Sequence, residues 1–411
     1  MIIFEAIDAA HGDAILVRYK GNAGFERIIL VDGGPKSASN EHGKAYVPYE
    51  TRVIPRLMEI KKERDNKKTT EDIRAGQPEL ALDLVVCTHI DDDHIAGIER
   101  FYGCLSGNGK CAEDGDKVEG KRLWFNSFST LLGDAVDIAA AKLAEARDAV
   151  VVSVNQGENL TSFASKCETT INEDAPGLLI SAGQTPKGFL PAKVTVLNPN
   201  TKALEKLRND WLEAVKKKKK KPGEPASLGL DVTSFKADQT VPNLSSIVLL
   251  VEAFGRRILL TGDQRGDHVL EGLINTRQMK EGESFHVDIM KVPHHGSTAN
   301  VQPEFIESIT ADIYVFSANG KDQNPDTPVL ELVARQAKKG RKITMAFTNG
   351  DMVYEKDRNG RLPKIGTKTV KTLAEAIAEL KKDADVRKNA NFIFRDPAQH
   401  SLVLRLDPKH P

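Results

Sequence analysis

The stretch that most constrains this chain runs from Leu82 to His94, LDLVVCTHIDDDH. It begins as a nearly continuous apolar run, the pattern of a strand buried on both faces. It ends in His89, Asp91, Asp92, Asp93 and His94, followed at once by a helix start, HIAGIERFYG. Carboxylates crowded at the end of a buried strand repel one another and lose hydration at great cost unless a cation neutralises them. A solvated acidic turn would hold the same residue types, but it gives no reason for four potential ligands directly after an apolar strand. Strand, polar turn and helix is the arrangement in which α/β folds place functional groups at strand C-termini. Imidazole and carboxylate together suit zinc, manganese or iron better than calcium or magnesium.

The rest of the chain supplies strands and helices in keeping with that unit. IIFEAIDAA, DAILVRY and RIILVDGG read as short adjacent strands separated by turn residues. Val53, Ile54, Leu57 and Met58 fall at helical spacing between Tyr49 and Arg64. Asp134 to about Val150 reads as an alanine-rich helix, and AKVTVLNPN as a strand. Residues 200 to about 240 change character: KLRNDWLEAV looks helical, then leads into Lys216–Lys221 and PGEPASLG, an insertion with the composition of a solvated loop. Order returns with a hairpin turning at Gly255, the strands VDIMKVPHHGS, ADIYVFSANG and KITMAFTNG, and a helix from Pro328 to Lys339. A helix from about Thr369 to Asp385 and the strands NFIFRD and SLVLRLD finish the chain. The expected organisation is one domain over residues 1–366 with an inserted lysine-rich segment, and a C-terminal helix and strand extension over 367–411.

Composition excludes several classes. Basic and acidic side chains balance at 58 each in 411 residues, so attraction to polyanions must come from local patches. The four cysteines form no C-x-x-C pair, which argues against a thiolate zinc site. No basic leader region and no apolar span of about 18 residues are read, so a cytoplasmic address without membrane insertion is expected. There is no phosphate-binding G-x-x-x-x-G-K-[ST], no G-x-G-x-x-G after a strand and no G-x-S-x-G elbow. Nucleotide-driven, dinucleotide and serine-hydrolase chemistries are therefore poor fits.

His89-x-Asp91-x-Asp93-His94 resembles the second motif, H-x-H-x-D-H, of the metallo-β-lactamase superfamily, with Asp91 at the middle histidine. This variant is similar to the soluble β-lactamase-like domain of the bacterial DNA-uptake protein ComEC and its free-standing relatives. Other motifs follow in the family's order: Gly12-Asp13-Ala14, Asp32-Gly33-Gly34, Thr261-Gly262-Asp263 and Pro293-His294-His295-Gly296-Ser297. The resemblance covers about residues 1–355. It implies an αββα sandwich, an α/β fold of two mixed sheets flanked by helices. It also implies one or two zinc or manganese ions held by His89, Asp91, Asp93, His94, Asp263 and His294.

The sequence departs from the family pattern in two places. No histidine lies between His94 and His268, so the third-motif histidine is absent; Asn243-Leu-Ser-Ser246 stands where it would fall, which puts Asn243 beside the metal. Asn324-Pro325 replaces an H-P pair. Fewer imidazoles and more oxygens make a harder site, favourable to manganese as a competitor of zinc.

The expected chemistry is hydrolysis by a metal-activated water. Asp93 would orient the water or move its proton, and Asp263 would bridge or close the coordination sphere. One of His294 and His295 would ligate while the other steadies the leaving oxygen. Asp32, Asn243, His11 and Asn126 are expected in support. Phosphodiesters, as in a ComEC-like nuclease, are the leading substrate class. The alternatives are a small ester, lactone or cyclic phosphodiester, or a non-catalytic metal-stabilised module that binds nucleic acid or a partner protein. The run Lys216–Lys221 reads either as a solvated loop or as a salt-sensitive phosphate contact.

Overall fold

Alternation along the strands sorts the apolar residues into three separate cores, and those cores fix the layering. In the computed structural model the described residues are 1–22, 26–39, 44–66, 80–107, 118–127, 130–131, 149–175, 179–185, 188–206, 208–209 and 241–409. The strands of the two large sheets are β1 (Ile2–Ile7), β2 (Ile15–Lys20), β3 (Glu26–Val31), β4 (Leu84–Val86), β5 (Arg122–Trp124), β6 (Thr170–Ile171) and β7 (Lys193–Asn198). They continue as β8 (Val248–Ala253), β9 (Arg256–Leu260), β10 (Phe285–Lys291), β11 (Ile309–Phe316), β12 (Ile343–Phe347), β13 (Ala390–Phe394) and β14 (Ser401–Leu406). The principal helices are α1 (Ile54–Asp65), α2 (Asp92–Leu105), α3 (Ala149–Lys166), α4 (Gly266–Asn275), α5 (Pro303–Ser308), α6 (Thr327–Lys338), α7 (Leu373–Leu380) and α8 (Ala384–Asn389).

Two seven-stranded sheets result, ordered β6-β5-β4-β3-β2-β1-β14 and β7-β8-β9-β10-β11-β12-β13. Each is antiparallel in one half and parallel in the other: β3 pairs β4 in parallel, as β9 pairs β10. Val17, Ile29, Val31, Leu249, Val251 and Ile289 belong to the core between the sheets. Their neighbours Leu16, Ile28 and Leu30 join a core shared with α1, α2 and α3. Leu250, Leu259 and Met290 join another beneath α4, α5, α6 and α7. Three cores in series require four layers, helix, sheet, sheet, helix, which is the αββα sandwich expected from the motifs.

The chain's last residues enter both sheets: β13 runs parallel to β12, and β14 pairs antiparallel with β1. The hairpin β8–β9 turns through Phe254 and Gly255, whose φ values of 53° and 71° suit the two-residue turn that follows strand twist. The C-terminal helix read over 369–385 is broken in the structure. The Asp383 carboxylate accepts from Asp385 N and Val386 N, starting α8 as a separate helix. Helix α3 lies beyond the alanine-rich segment read as helical; residues 132–148 and the run Lys216–Lys221 lie outside the described residues. No helix among the described residues is long and apolar enough to cross a membrane.

Candidate metal centre

The C-terminal ends of β3, β4, β9, β10 and β11 meet at one edge of the sandwich. Asp32 follows β3, His89 follows β4, Asp263 follows β9, His294 and His295 follow β10, and Ser317 follows β11. The strand β4 ends at Val86; Cys87 N still donates to Trp124 O at 3.0 Å, and Thr88 N turns to a side-chain partner. Asp32 N donates to Val86 O at 2.8 Å, and Thr88 N donates to Asp32 Oδ1 at 2.8 Å.

Glycines bring the ligand-bearing turns together. Gly33 N donates to His94 O and Gly97 N to Gly34 O, each at 3.0 Å, so the first turns of α2 lie directly on the Asp32-Gly33-Gly34 turn. A Cβ on Gly97 would sit 1.8 Å from Gly33 O, and one on Gly12 would sit 2.0 Å from Asp93 O. Asp32, His294 and His295 adopt φ values of 60°, 46° and 55°, sparsely populated for residues with side chains. Strain of this kind costs on the order of 1–3 kcal/mol per residue and persists where surrounding structure over-determines it.

Each histidine has its Nδ1 occupied. His94 Nδ1 lies 2.8 Å from Asp32 Oδ2. His89 Nδ1 lies 3.0 Å from Thr88 Oγ1, which in turn donates to Asp32 Oδ2 at 2.8 Å. His295 Nδ1 donates to Ser317 O at 2.7 Å, and His294 Nδ1 lies 2.8 Å from Asn300 Oδ1. A carboxylate or carbonyl can only accept, so these bonds place the hydrogen on Nδ1 of His94 and His295 and leave Nε2 as the lone-pair side. Asp32 thus holds two histidines at once, one directly and one through the Thr88 hydroxyl.

The Nε2 atoms face one another across the centre. His94 Nε2 lies 3.3 Å from Asp263 Oδ1, His294 Nε2 3.4 Å from Asp263 Oδ2, and His295 Nε2 3.3 Å from Asp93 Oδ2. Potential ligand atoms gather within 4.8 Å in three overlapping groups, His89–His94–Asp263, Asp93–His94–His295 and, behind them, Asp13–Asp32–His94. The buried Nε2 atoms of His89, His94 and His295, and Oδ1 of Asp263, have no hydrogen-bond partner among the described residues. Buried polar atoms are rarely left this way. Soft nitrogen and hard oxygen donors converging with their outer atoms already bonded are what a borderline divalent cation requires. The donor set therefore fits the metal that the motifs imply.

Electrostatics agree with that fit. Burial lowers the affinity of His94 for a proton, but Asp263, Asp32 and Asp93 outweigh it and hold its pKa well above the ordinary histidine range. Burial likewise opposes protonation of His295, yet Asp263 and Asp13 lift its pKa to about 9. Burial raises the Asp263 carboxyl, and the positive field of His294, His94 and His295 more than reverses this, holding it well below the usual carboxylate range. Asp93 is depressed in the same way, chiefly by His94 and His295. The shifts share one cause, a surplus of buried carboxylates that draws positive charge to this point.

A third acidic group sits behind the centre and is already balanced. Asp13 Oδ2 lies 2.5 Å from Lys291 Nζ, with the two side chains 3% and 2% exposed, and Asp13 Oδ1 is 3.4 Å from His295 Nδ1. Lys291, Thr88, Ser317 and Asn300 were not among the expected site residues.

The remaining expected residues divide. Asp91 caps α2 at the rim, 38% exposed, with Oδ2 3.6 Å from His89 Nε2. Asp92 turns away, accepting from Lys36 N and Gln156 Nε2. Asn243 Nδ2 lies 3.4 Å from His294 Nδ1, and Ser246 Oγ 3.4 Å from His89 Nδ1, so the N-x-x-S stretch does border the centre. His11 lines a small cleft of about 50 Å³ with Asp93, His294, His295, Lys321 and Asn324. Burial and then the Lys321 charge push the His11 pKa down to about 4. Asn126 is committed elsewhere: its amide donates to Ile180 O and accepts from Ile180 N, each at 2.8 Å. Trp124 and Phe125 are core residues, 1% exposed each.

Comparison with known proteins gives limited overlap. No protein-family model matches the chain. ComE operon protein 3 of Bacillus subtilis (strain 168) is 28% identical over 179 residues, 43% of this chain and 21% of that protein. Among solved structures, the metallo-β-lactamase fold protein YhfI from Bacillus subtilis aligns at 12% identity and a TM-score of 0.35, covering 98% of this chain and 99% of YhfI. CmlA, a diiron β-hydroxylase from Streptomyces venezuelae, aligns at 12% identity and a TM-score of 0.37, covering 98% of this chain and 54% of CmlA. The two sheets and the cluster of potential ligands at the edge between them agree with the αββα sandwich that the motifs imply.

Proposed function

We propose that this chain is a metal-dependent hydrolase whose substrates are phosphodiesters, with zinc or manganese held by His89, His94, Asp93, Asp263 and His295. The observation that carries this reading is the set of buried, unpartnered Nε2 and Oδ1 atoms facing one another at the sheet edge. A bound divalent cation supplies there a neutralising charge and an activated water as nucleophile. The protein's own part is positional. Asp32, Ser317 and Asn300 fix the imidazoles by bonding their Nδ1 atoms. Asp93, whose carboxylate faces both the centre and the cleft, is placed to accept a proton from an attacking water. His294 is the most exposed of the four histidines, at 27%, and is suited to steady charge on a departing oxygen. The local likeness to a ComE operon protein supports a nucleic-acid substrate and goes no further.

The test is elemental analysis of the purified protein beside an Asp93→Ala/His94→Ala variant, with both assayed on labelled DNA in added manganese or zinc. Metal in the wild type, lost together with cleavage in the variant, is the expected result. Metal without cleavage would redirect the search to small esters, lactones or cyclic phosphodiesters, or to a binding module. Absence of metal would end the catalytic reading.

A further inference from the structure

We infer that Lys321 is an anion grip at the mouth of the metal cleft, placed to hold a phosphate that neighbours the one being cleaved. The inference rests on the phosphodiester reading above and narrows it to substrates carrying a second negative charge.

The cleft has two walls held at a set distance. One is the turn bearing His11, the other the loop from Ala318 to Asn324 after β11. Ser317 Oγ donates to Gly12 O at 2.9 Å, which ties the base of one wall to the base of the other. The second wall is a tight loop with φ values of 91° at Gly320, 51° at Asp322 and 65° at Gln323. Gly320 N donates to Asn324 O at 3.1 Å, closing the loop. Gln323 Nε2 donates to Glu355 O and Arg361 O at 3.0 and 2.9 Å, while Glu355 N donates to Gly320 O at 3.2 Å. Five residues in a closed, doubly anchored turn present Lys321 from a fixed base.

Lys321 is exposed and forms no ion pair among the described residues, although its position lines the same cleft as Asp93, His294 and His295. The other lysine near the site, Lys291, is buried and ion-paired with Asp13. One cation is thus consumed by structure and the other faces the cleft. The charge of the scissile group would be met by the cation that His89, His94, Asp263 and Asp93 would hold. An ammonium at the mouth meets charge on the next group along. A neutral ester or lactone has nothing for it to hold, whereas a nucleic-acid strand offers an adjacent phosphate. Asp322, beside Lys321 in the same loop and also lining the cleft, carries the opposite sign and works against the grip. Two neighbouring residues therefore make opposite predictions.

The experiment compares the wild type with Lys321→Ala, Lys321→Arg and Asp322→Asn on a fluorescent single-stranded oligonucleotide, with manganese, across a salt series. The same oligonucleotide is followed by anisotropy in an Asp93→Ala background, so that binding is read without turnover. For Lys321→Ala, KM and the dissociation constant should rise about tenfold while kcat changes by less than about twofold, the size expected for one charge-assisted contact. The slope of log affinity against log salt should fall by about 0.7, the share of one phosphate contact on a single strand. Lys321→Arg should recover most of the loss, and Asp322→Asn should tighten binding. Wild-type cleavage with an unchanged KM in Lys321→Ala would overturn the grip and leave the phosphodiester reading standing. Metal without cleavage would overturn that reading instead. Anisotropy then decides Lys321 alone, and equal binding by wild type and Lys321→Ala overturns it.

Discussion

Among single residues, Asp13 and Lys291 bear most directly on how the site is held. Both are almost fully buried, 2.5 Å apart, behind His295. Burying one charge requires its partner, so Lys291→Met leaves an uncompensated carboxylate and should destabilise the fold by about 3–5 kcal/mol. Asp13→Asn combined with Lys291→Met removes both charges and should regain a substantial part of that loss. Urea unfolding of the two variants checks this, and equal stabilities would contradict it. The candidate ligand types were legible in the sequence because H-x-D-x-D-H concentrates them in six positions after an apolar run. Their supports were not. Thr88 holds His89 as its immediate neighbour in sequence, yet Asp32 reaches the pair from 56 residues away. Ser317 stands 22 residues beyond His295, and nothing local marks its carbonyl as the acceptor.

At the level of elements, the contact between α2 and the turn after β3 decides whether the ligands converge. Gly33 and Gly97 meet backbone to backbone, and a Cβ at Gly97 would lie 1.8 Å from Gly33 O. Gly97→Ala must push α2 away from the turn and should cost on the order of 3 kcal/mol, against the small gain an alanine usually brings to a helix interior. Thermal unfolding by circular dichroism measures it, and a variant as stable as wild type would show that the packing can yield. Asp32 of the early D-G-G turn was expected in support, and in the structure it holds two histidines while Gly33 seats α2. Gly97 carried no such signal, because a glycine inside an amphipathic helix shows its reason only when the opposing backbone is known. The broken C-terminal helix has a related cause. Periodicity runs through residues 373–389, and the Asp383 cap interrupts it.

Across the whole molecule, one buried carboxylate joins the two ends of the chain. Glu5 on β1, fully buried, accepts from Arg18 at 2.6 Å, from Arg56 Nε at 2.6 Å and from Ser401 Oγ at 2.8 Å, linking β1, β2, α1 and β14. Burial raises its pKa, but Arg56 and Arg18 outweigh that and leave it below the ordinary value of 4.5. The unfolded chain therefore binds the proton more readily than the folded one. The stability due to Glu5 is fully present above about pH 4.5 and is lost as pH falls through the lower folded pKa. Melting temperature should drop on acidification from about pH 5 towards about pH 3, and Glu5→Gln should flatten part of that slope. An unaltered slope in Glu5→Gln would assign the acid sensitivity elsewhere.

What the amino-acid sequence determined by itself is chemical and sequential: which residue types alternate, and in what order ligand-bearing turns follow strands. Strand patterning was enough for alternating strands and helices, because period-two burial sorts side chains without reference to distant partners, while the sandwich itself was implied by the motifs' resemblance to a known family. Motif order singled out His89, Asp91, Asp93, His94, Asp263, His294 and His295, and the structure gathers all of these but the rim residue Asp91 around one point. Tertiary structure alone decided which imidazole nitrogen is held and which faces the centre. It also turned Asp92 outward, tied Asn126 to Ile180 and set Lys321 at the cleft mouth. Those outcomes depend on groups tens to hundreds of residues apart meeting within hydrogen-bond distance. No local pattern encodes such a meeting; it follows from the packing of the two sheets and the helix that glycine lets approach them.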